Sequence, residues 1–251
     1  TDSDTAGDTG STGSTGDTSE TGDAETADTG TLDTGPDPNG YARFVHLVPD
    51  VLFLNVYFDA QPFPLLANFA YTSNSDSGGF GYVAFASALY DFHYRDPVGS
   101  PVASLNNHLL DNGDYTTIIG YGSQSQALID PTYTPSVLGL YDTREGVPGR
   151  AQVRVVHTGV GATNLDIYWD GALQIADLPY GGDAGYADGL VGYQVWSFDH
   201  DRDGNIDDTF NITLDDGSIQ NVYLLPRAGT GDVGMLAHHE EGVAITRIYA
   251  N

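Results

Sequence analysis

The chain has 251 residues, 35 acids against 8 bases and a formal charge of −27, and every base is an arginine. That length suits two β-sandwiches of about 100 residues each and is too short per half for a large α/β enzyme. So negative a field repels phosphate backbones and anionic lipid, which argues against nucleic acid as a partner, and it attracts divalent cations and basic surfaces.

Residues 1–40 hold ten acids, no base, no aromatic residue and one large aliphatic, Leu32. They cannot bury enough apolar surface to offset the entropy of ordering, so the sequence predicts a disordered, self-repelling Thr/Ser/Gly/Asp stalk. Such a spacer has a random-coil reach of about 35 Å. A plain disordered terminus is the rival reading, and the hydroxyl density is compatible with O-glycosylation. Removing those ten acids leaves 25 acids against 8 arginines, so the body is itself acidic. Acidity without lysine also marks salt-adapted surfaces, but glutamate is scarce beside aspartate, which favours turns and cation loops. Cysteine is absent, so disulfides say nothing about the compartment. No run of about 18 apolar residues offers a transmembrane helix. Because the numbering starts at Thr1, an export signal and a lipid-bearing cysteine are expected upstream.

From Tyr41 the texture changes to short apolar alternations separated by Gly, Asn, Asp and Pro, the pattern of an all-β chain. It is also internally repeated. Ala42-Arg43-Phe44-Val45-His46 matches Val153-Arg154-Val155-Val156-His157, and Leu54 to Asp59 matches Leu165 to Asp170, both 111 residues later. Leu110-Asp111-Asn112-Gly113 then matches Leu214-Asp215-Asp216-Gly217 at an offset of 104. Two tandem antiparallel sandwiches follow, over 41–148 and 149–251, with the boundary in the turn formers Val147-Pro148-Gly149-Arg150. A linker this short makes the two sandwiches touch. The first copy is expected to close with Tyr115 to Tyr121 paired to Gln126 to Ile129, and the second with Asn221 to Leu225 paired to Val243 to Ala250.

The strand Val153 to His157, followed by Leu165-Asp166-Ile167-Tyr168-Trp169-Asp170-Gly171, resembles the opening of domain-of-unknown-function family 4397, whose members start V-R-V-V-H and continue V-D-V-Y-V-D-G. Phe44 and Leu47-Val48-Pro49-Asp50 carry the same pattern more loosely in the first copy. The resemblance spans about 210 residues as two copies, and it implies immunoglobulin-like β-sandwiches in exported bacterial proteins displayed on the cell envelope. It implies no catalytic residue. The stalk looks like those that follow the anchored cysteine of surface lipoproteins.

The sharpest motif is Asp199-His200-Asp201-Arg202-Asp203-Gly204-Asn205-Ile206-Asp207-Asp208. Carboxylates at loop positions one, three and five suit a hard cation, glycine at six permits the turn, the Asn205 carbonyl points inward at seven, and Ile206 packs the loop down. Asp199, Asp201, Asp203, Asn205 and Asp207 are therefore the expected calcium ligands. At position twelve, where an EF-hand has a bidentate glutamate, stands Phe210. Unless Asp208 or a distant carboxylate completes the site, its affinity belongs with the roughly 10⁻⁴–10⁻³ M of extracellular modules. The competing reading is an acidic hairpin tip held by turn hydrogen bonds.

Other constellations read as structure. His46 and His157 repeat, and a repeated position reports a repeated structural need; no nucleophile or paired carboxylate recurs beside both. His238-His239-Glu240-Glu241 offers zinc-ligand types, but adjacent residues point in opposite directions, so a solvated hairpin tip is expected. Asn211-Ile212-Thr213 is a glycosylation sequon of little weight. Tyr57, Tyr71, Tyr82 and Tyr90 recur as Tyr168, Tyr180, Tyr186 and Tyr193, which favours packing. The function expected is a non-enzymatic secreted or cell-surface module that binds protein or glycan. The alternative is a structural subunit that self-assembles into an extracellular layer or filament.

Overall fold

The structure is a computed structural model describing residues 37–75, 81–162, 164–189, 191–226, 233–239 and 245–248. The expected stalk lies outside the described residues up to position 36, and its last two residues, Asn39 and Gly40, already belong to the first strand.

The first half carries β1 (Asn39–Leu47), β2 (Phe53–Phe58), β3 (Leu66–Ala70), β4 (Val83–Ala86), β5 (Ala88–Arg95), β6 (Pro101–Leu110), β7 (Tyr115–Tyr121) and β8 (Ser136–Tyr141). They form two facing sheets in the orders β4-β1-β7-β8 and β3-β2-β5-β6, with β1 and β7 parallel. The second half carries β9 (Ala151–His157), β10 (Asn164–Trp169), β11 (Ala172–Pro179), β12 (Asp183–Gly189), β13 (Gly192–Asp199), β14 (Asp208–Leu214), β15 (Ile219–Pro226), β16 (Val233–His239) and β17 (Ile245–Ile248). Its sheets repeat the order as β12-β9-β15-β16-β17 and β11-β10-β13-β14, with β9 and β15 parallel. The sequence repeat is thus a topological one. The architecture is that of tandem sandwiches, with a strand order in which the first strand pairs with the seventh.

Two closing strands differ from expectation. Gln126 to Ile129 is not a strand: a helical turn α1 (Gln124–Ala127) and a 3₁₀ turn over Pro131–Tyr133 occupy that stretch, and the partner of β7 is β8. Ser123 starts α1 by accepting from the Gln126 N–H, and Asp130 caps the 3₁₀ turn, so capping outcompetes the short apolar run. In the second half β15 pairs with β16, and β16 with β17, the last described strand; Val243, Ala244, Tyr249 and Ala250 of the expected closing segment lie outside the described residues. His238 and His239 lie within β16 rather than at a hairpin tip; Glu240 and Glu241 lie outside the described residues. The Asp-Asn-Gly and Asp-Asp-Gly turns, at Gly113 (φ 76°) and Gly217 (φ 72°), carry the chain from one sheet to the other.

Strand β1 shows why its motif is almost continuously apolar. Ala42, Phe44 and His46 point into the first sandwich, while Arg43, Val45 and Leu47 point out of it, and all are buried. The outward residues are covered because the two parallel-paired sheets pack on each other. Val45, Leu47, Ile119 and Leu140 meet Val156, Tyr223, Leu225 and Leu236 in a third core between the sandwiches. The result is four stacked layers, and the middle two are buried on both faces. Full burial of such aliphatic side chains contributes about 1.5–3 kcal/mol each.

At the centre of that contact lies Asp142, just after β8, its side chain fully buried. Its Oδ2 faces the first copy: it accepts from Thr117 Oγ1 at 2.5 Å and Tyr82 Oη at 2.9 Å, with Arg43 Nη2 at 3.8 Å. Its Oδ1 faces the second copy: it accepts from Arg154 Nη1 at 3.2 Å, Tyr186 Oη at 3.3 Å and Asn221 Nδ2 at 3.3 Å. Arg43 and Arg154 are repeat equivalents, as are Tyr82 and Tyr186, and Thr117 and Asn221. Each guanidinium also stacks on its own copy's tyrosine, 4.9 Å and 4.1 Å from the ring centroids. One carboxylate therefore serves equivalent groups of both halves.

The copies run in the same sense. Tyr180, in the turn after β11, packs 5.6 Å from Tyr121 at the end of β7 and 5.0 Å from Tyr133. Pairing of Asn55 with Arg95, and of Asp166 with Asp199, places the β5–β6 and β13–β14 connections at that same end. So do the connections after β1 and β9, which leave from Leu47 and His157. The molecule thus presents loops of both copies together.

Candidate metal centre

The β13–β14 hairpin belongs to the outer sheet of the second sandwich, and its tip is the aspartate loop. Ser197 and Thr209 pair across the strands, and Asp207 N–H donates to the Phe198 carbonyl at 2.9 Å, so the loop leaves and re-enters the sheet at one corner. Asp199, the last residue of β13, is only 1% exposed because the loop folds over it. Its Oδ1 accepts from the Arg202 N–H at 2.6 Å and its Oδ2 from the Gly204 N–H at 2.9 Å. Those two bonds bend the loop, and the bend places Arg202 (φ 59°) and Gly204 (φ 89°) in the left-handed region.

One carboxylate oxygen each from Asp199, Asp201 and Asp207 lies within 4.8 Å of the other two. Two oxygens bound to one Ca²⁺ at about 2.3–2.6 Å can stand no further apart than about 5 Å. The three oxygens are therefore near enough to one another to approach a common cation. Asp207 is held by the His200 N–H, which donates to its Oδ2 at 2.7 Å. Asp203 is not one of the three: it accepts from the Asn205 N–H and from Asn205 Nδ2, both at 2.8 Å, and these bonds hold its carboxyl below the usual carboxylate range. Asn205 is exposed beside it.

Two further expectations fare differently. Ile206 does not pack the loop down; it is 47% exposed, because the loop is fixed through Asp199 and not through an apolar anchor. Phe210 at position twelve is fully buried, edge-on to Phe198 at 5.2 Å, so the core claims the place of the missing glutamate. Asp208 is buried beside the loop with its Oδ2 3.1 Å from His200 Nε2. Arg202 reaches away to Asp177.

The first copy has no such site at the matching corner. Arg95 stands where the second copy has Asp199, stacked 5.0 Å from the Tyr57 ring centroid, and Asp96 turns the chain by accepting from the Val98 and Ser100 N–H groups. The repeated histidines are both fully buried. His46 Nδ1 accepts from the Val48 N–H at 3.2 Å, and Nε2 donates to the Val51 carbonyl at 2.7 Å. Burial lowers His46 to about 4, and burial likewise lowers His157 to about 4. Tyr71 and Tyr180 pack edge-on to these rings at 5.8 Å and 5.6 Å.

No protein-family model matches the chain. No curated protein matches it either. Among nine matching chains of known structure is one described as "Alpha-glucan binding by a streptococcal virulence factor". It is 12% identical, the match covers 77% of this chain and 95% of that one, and the TM-score is 0.21, a level of likeness that carries no argument about either fold or ligand. No helix among the described residues is long and apolar enough to cross a membrane.

Proposed function

We propose that this chain is a non-enzymatic interaction module, secreted or displayed on the outer surface of a bacterium, whose second sandwich is stabilised by calcium. The observation that carries the reading is the convergence of Asp199, Asp201 and Asp207 at the β13–β14 tip, in a loop of D-x-D-x-D-G sequence. Calcium there closes a loop; the carboxylates bind it and no reaction is assigned to it. The site's three converging oxygens are fewer than the 6–8 that Ca²⁺ takes, so water or Asp203, swung from Asn205, completes the shell and the affinity is low. The module's partner is an extracellular protein or glycan. Membership of the family that the two copies resemble belongs to the same proposal.

Calorimetric titration of the full chain with calcium, with thermal melts in calcium and in chelator, tests the site. At a calcium concentration 10–100 times Kd, binding stabilises by about 1.4–2.7 kcal/mol. Saturable heat and a raised Tm, both lost in Asp201→Ala, support the reading. Absence of heat and of any shift in the unsubstituted protein leaves a hydrogen-bonded acidic turn.

A further inference from the structure

The loops gathered at one end of the molecule include one that is built to expose apolar side chains. The connection between β7 and β8 is fourteen residues long, whereas β15 and β16 are joined by six. Its length is spent on ordered structure. Asp50, in the loop after β1, accepts from Ser123 Oγ at 3.0 Å and from the Ser125 N–H at 2.6 Å. The Asp130 cap and the buried ring of Tyr133, packed against Tyr180 of the second copy, fix the other side. On this braced platform Leu128 is 90% exposed and Ile129 79% exposed. Leu52, two residues from Asp50, is 67% exposed on the loop tied to it. Flexible loops carry stray aliphatics commonly; a loop pinned on both sides that holds two adjacent ones in water has the form of a contact surface.

The charge around that surface is predominantly negative. The described loop residues at this end include Asp50, Asp96, Asp130, Asp201, Asp203 and Asp207. Among the described residues, the bases beside them are Arg95, stacked on Tyr57, Arg202, engaged by Asp177, and His200, beside Asp208. Apolar anchors within an acidic rim complement an apolar pocket rimmed by Lys and Arg, and repel anionic polymers and anionic lipid.

We infer that Leu128 and Ile129, with Leu52, are the anchors of a docking surface for a cationic protein partner. This deepens the interaction-module reading and rests on it; the apolar anchors lie outside the calcium loop, whose aspartates add to the acidic rim when calcium is absent.

The test uses the full chain and a fluorescein-labelled peptide of alternating leucine and lysine, with a lysine–serine peptide of equal charge as comparison, read by anisotropy at low salt in chelator. The expected result is tighter binding of the leucine–lysine peptide, weakened at least tenfold in Leu128→Ser/Ile129→Ser and unchanged in Phe63→Ser at the opposite end. Equal binding of the two peptides, or indifference to the double substitution, overturns the surface while leaving the calcium reading to its own calorimetry. Absence of binding by either peptide overturns the cationic partner. The substituted residues are exposed, so folding is not at stake, and an unchanged thermal melt of the double variant in chelator confirms it.

Discussion

Replacing Asp142 by alanine removes one side chain and leaves two guanidinium groups facing each other in a water-excluded contact. Arg43 is fully buried and Arg154 has 5% of its side chain exposed. Arg43 keeps Thr117 Oγ1 and the Tyr82 ring, and Arg154 keeps the Tyr141 carbonyl, the Tyr186 ring and, at 4.0 Å, the partly exposed Asp183 carboxylate, but both lose the buried carboxylate between them. Breaking a buried pair by removing one partner costs about 3–5 kcal/mol, a large part of the roughly 5–15 kcal/mol that holds a domain together. Both tryptophans, Trp169 and Trp196, lie in the second sandwich, stacked 4.8 Å apart, so their fluorescence follows that half alone while circular dichroism follows both. In urea the two signals should coincide for the unsubstituted protein and separate for Asp142→Ala, with a fall of 3–5 kcal/mol by extrapolation. The triple change Arg43→Met/Asp142→Leu/Arg154→Met should recover most of the loss, because it removes the stranded charges along with the carboxylate. A loss below about 1 kcal/mol with coincident transitions would refute the idea that uncompensated burial decides the outcome.

Gly120→Ala should destabilise by about 1–3 kcal/mol in urea unfolding, since a Cβ there would lie 2.7 Å from the Tyr94 ring, which is fixed by its bond to the Ile118 carbonyl. Combining it with Tyr94→Leu should be strongly non-additive, and additivity would sink the clash. Acid should weaken the fold in a window set by the histidines. His46 and His157 are lowered from 6.5 to about 4 when folded, so the unfolded chain takes up protons first; stability is full above pH 6.5 and drains as pH falls to about 4. Each contributes up to about 3 kcal/mol over that window, and His46→Gln should flatten the pH dependence of the urea midpoint between pH 7 and 5. An unchanged slope would assign the acid sensitivity to other groups. Calcium affinity should fall further in Asp201→Ala than in Asp203→Ala, because only Asp201 already faces the shared position; calorimetry giving the reverse order would move the site.

The repeat and the strands β1 and β9 were legible because their motifs must satisfy burial on both faces, which leaves a nearly unbroken apolar run with fixed exceptions at Arg and His. The loop of aspartates was legible from spacing, although its anchoring was not: Ile206 proved exposed and Asp199 holds the turn. The stretch Gln126 to Ile129 misleads because three apolar residues in a row look like a strand, whereas Ser123 and Asp130 cap short helical turns there. Asp142 lies outside the motifs that align the copies. By strand register its position in the second copy is that of Glu240, which follows His239 as Asp142 follows Tyr141, but the differing loop lengths before the two strands hide that match in the sequence.

That aspartate also bears on how the duplication can change over time. Two independent copies can drift apart, since damage to one leaves the other intact. Here a substitution at Arg43 alters the surroundings of Arg154 through one carboxylate, and a change at Asp142 is felt on both sides at once. Each half thus feels the other's mutations, and cutting the chain between them would bare the core they share.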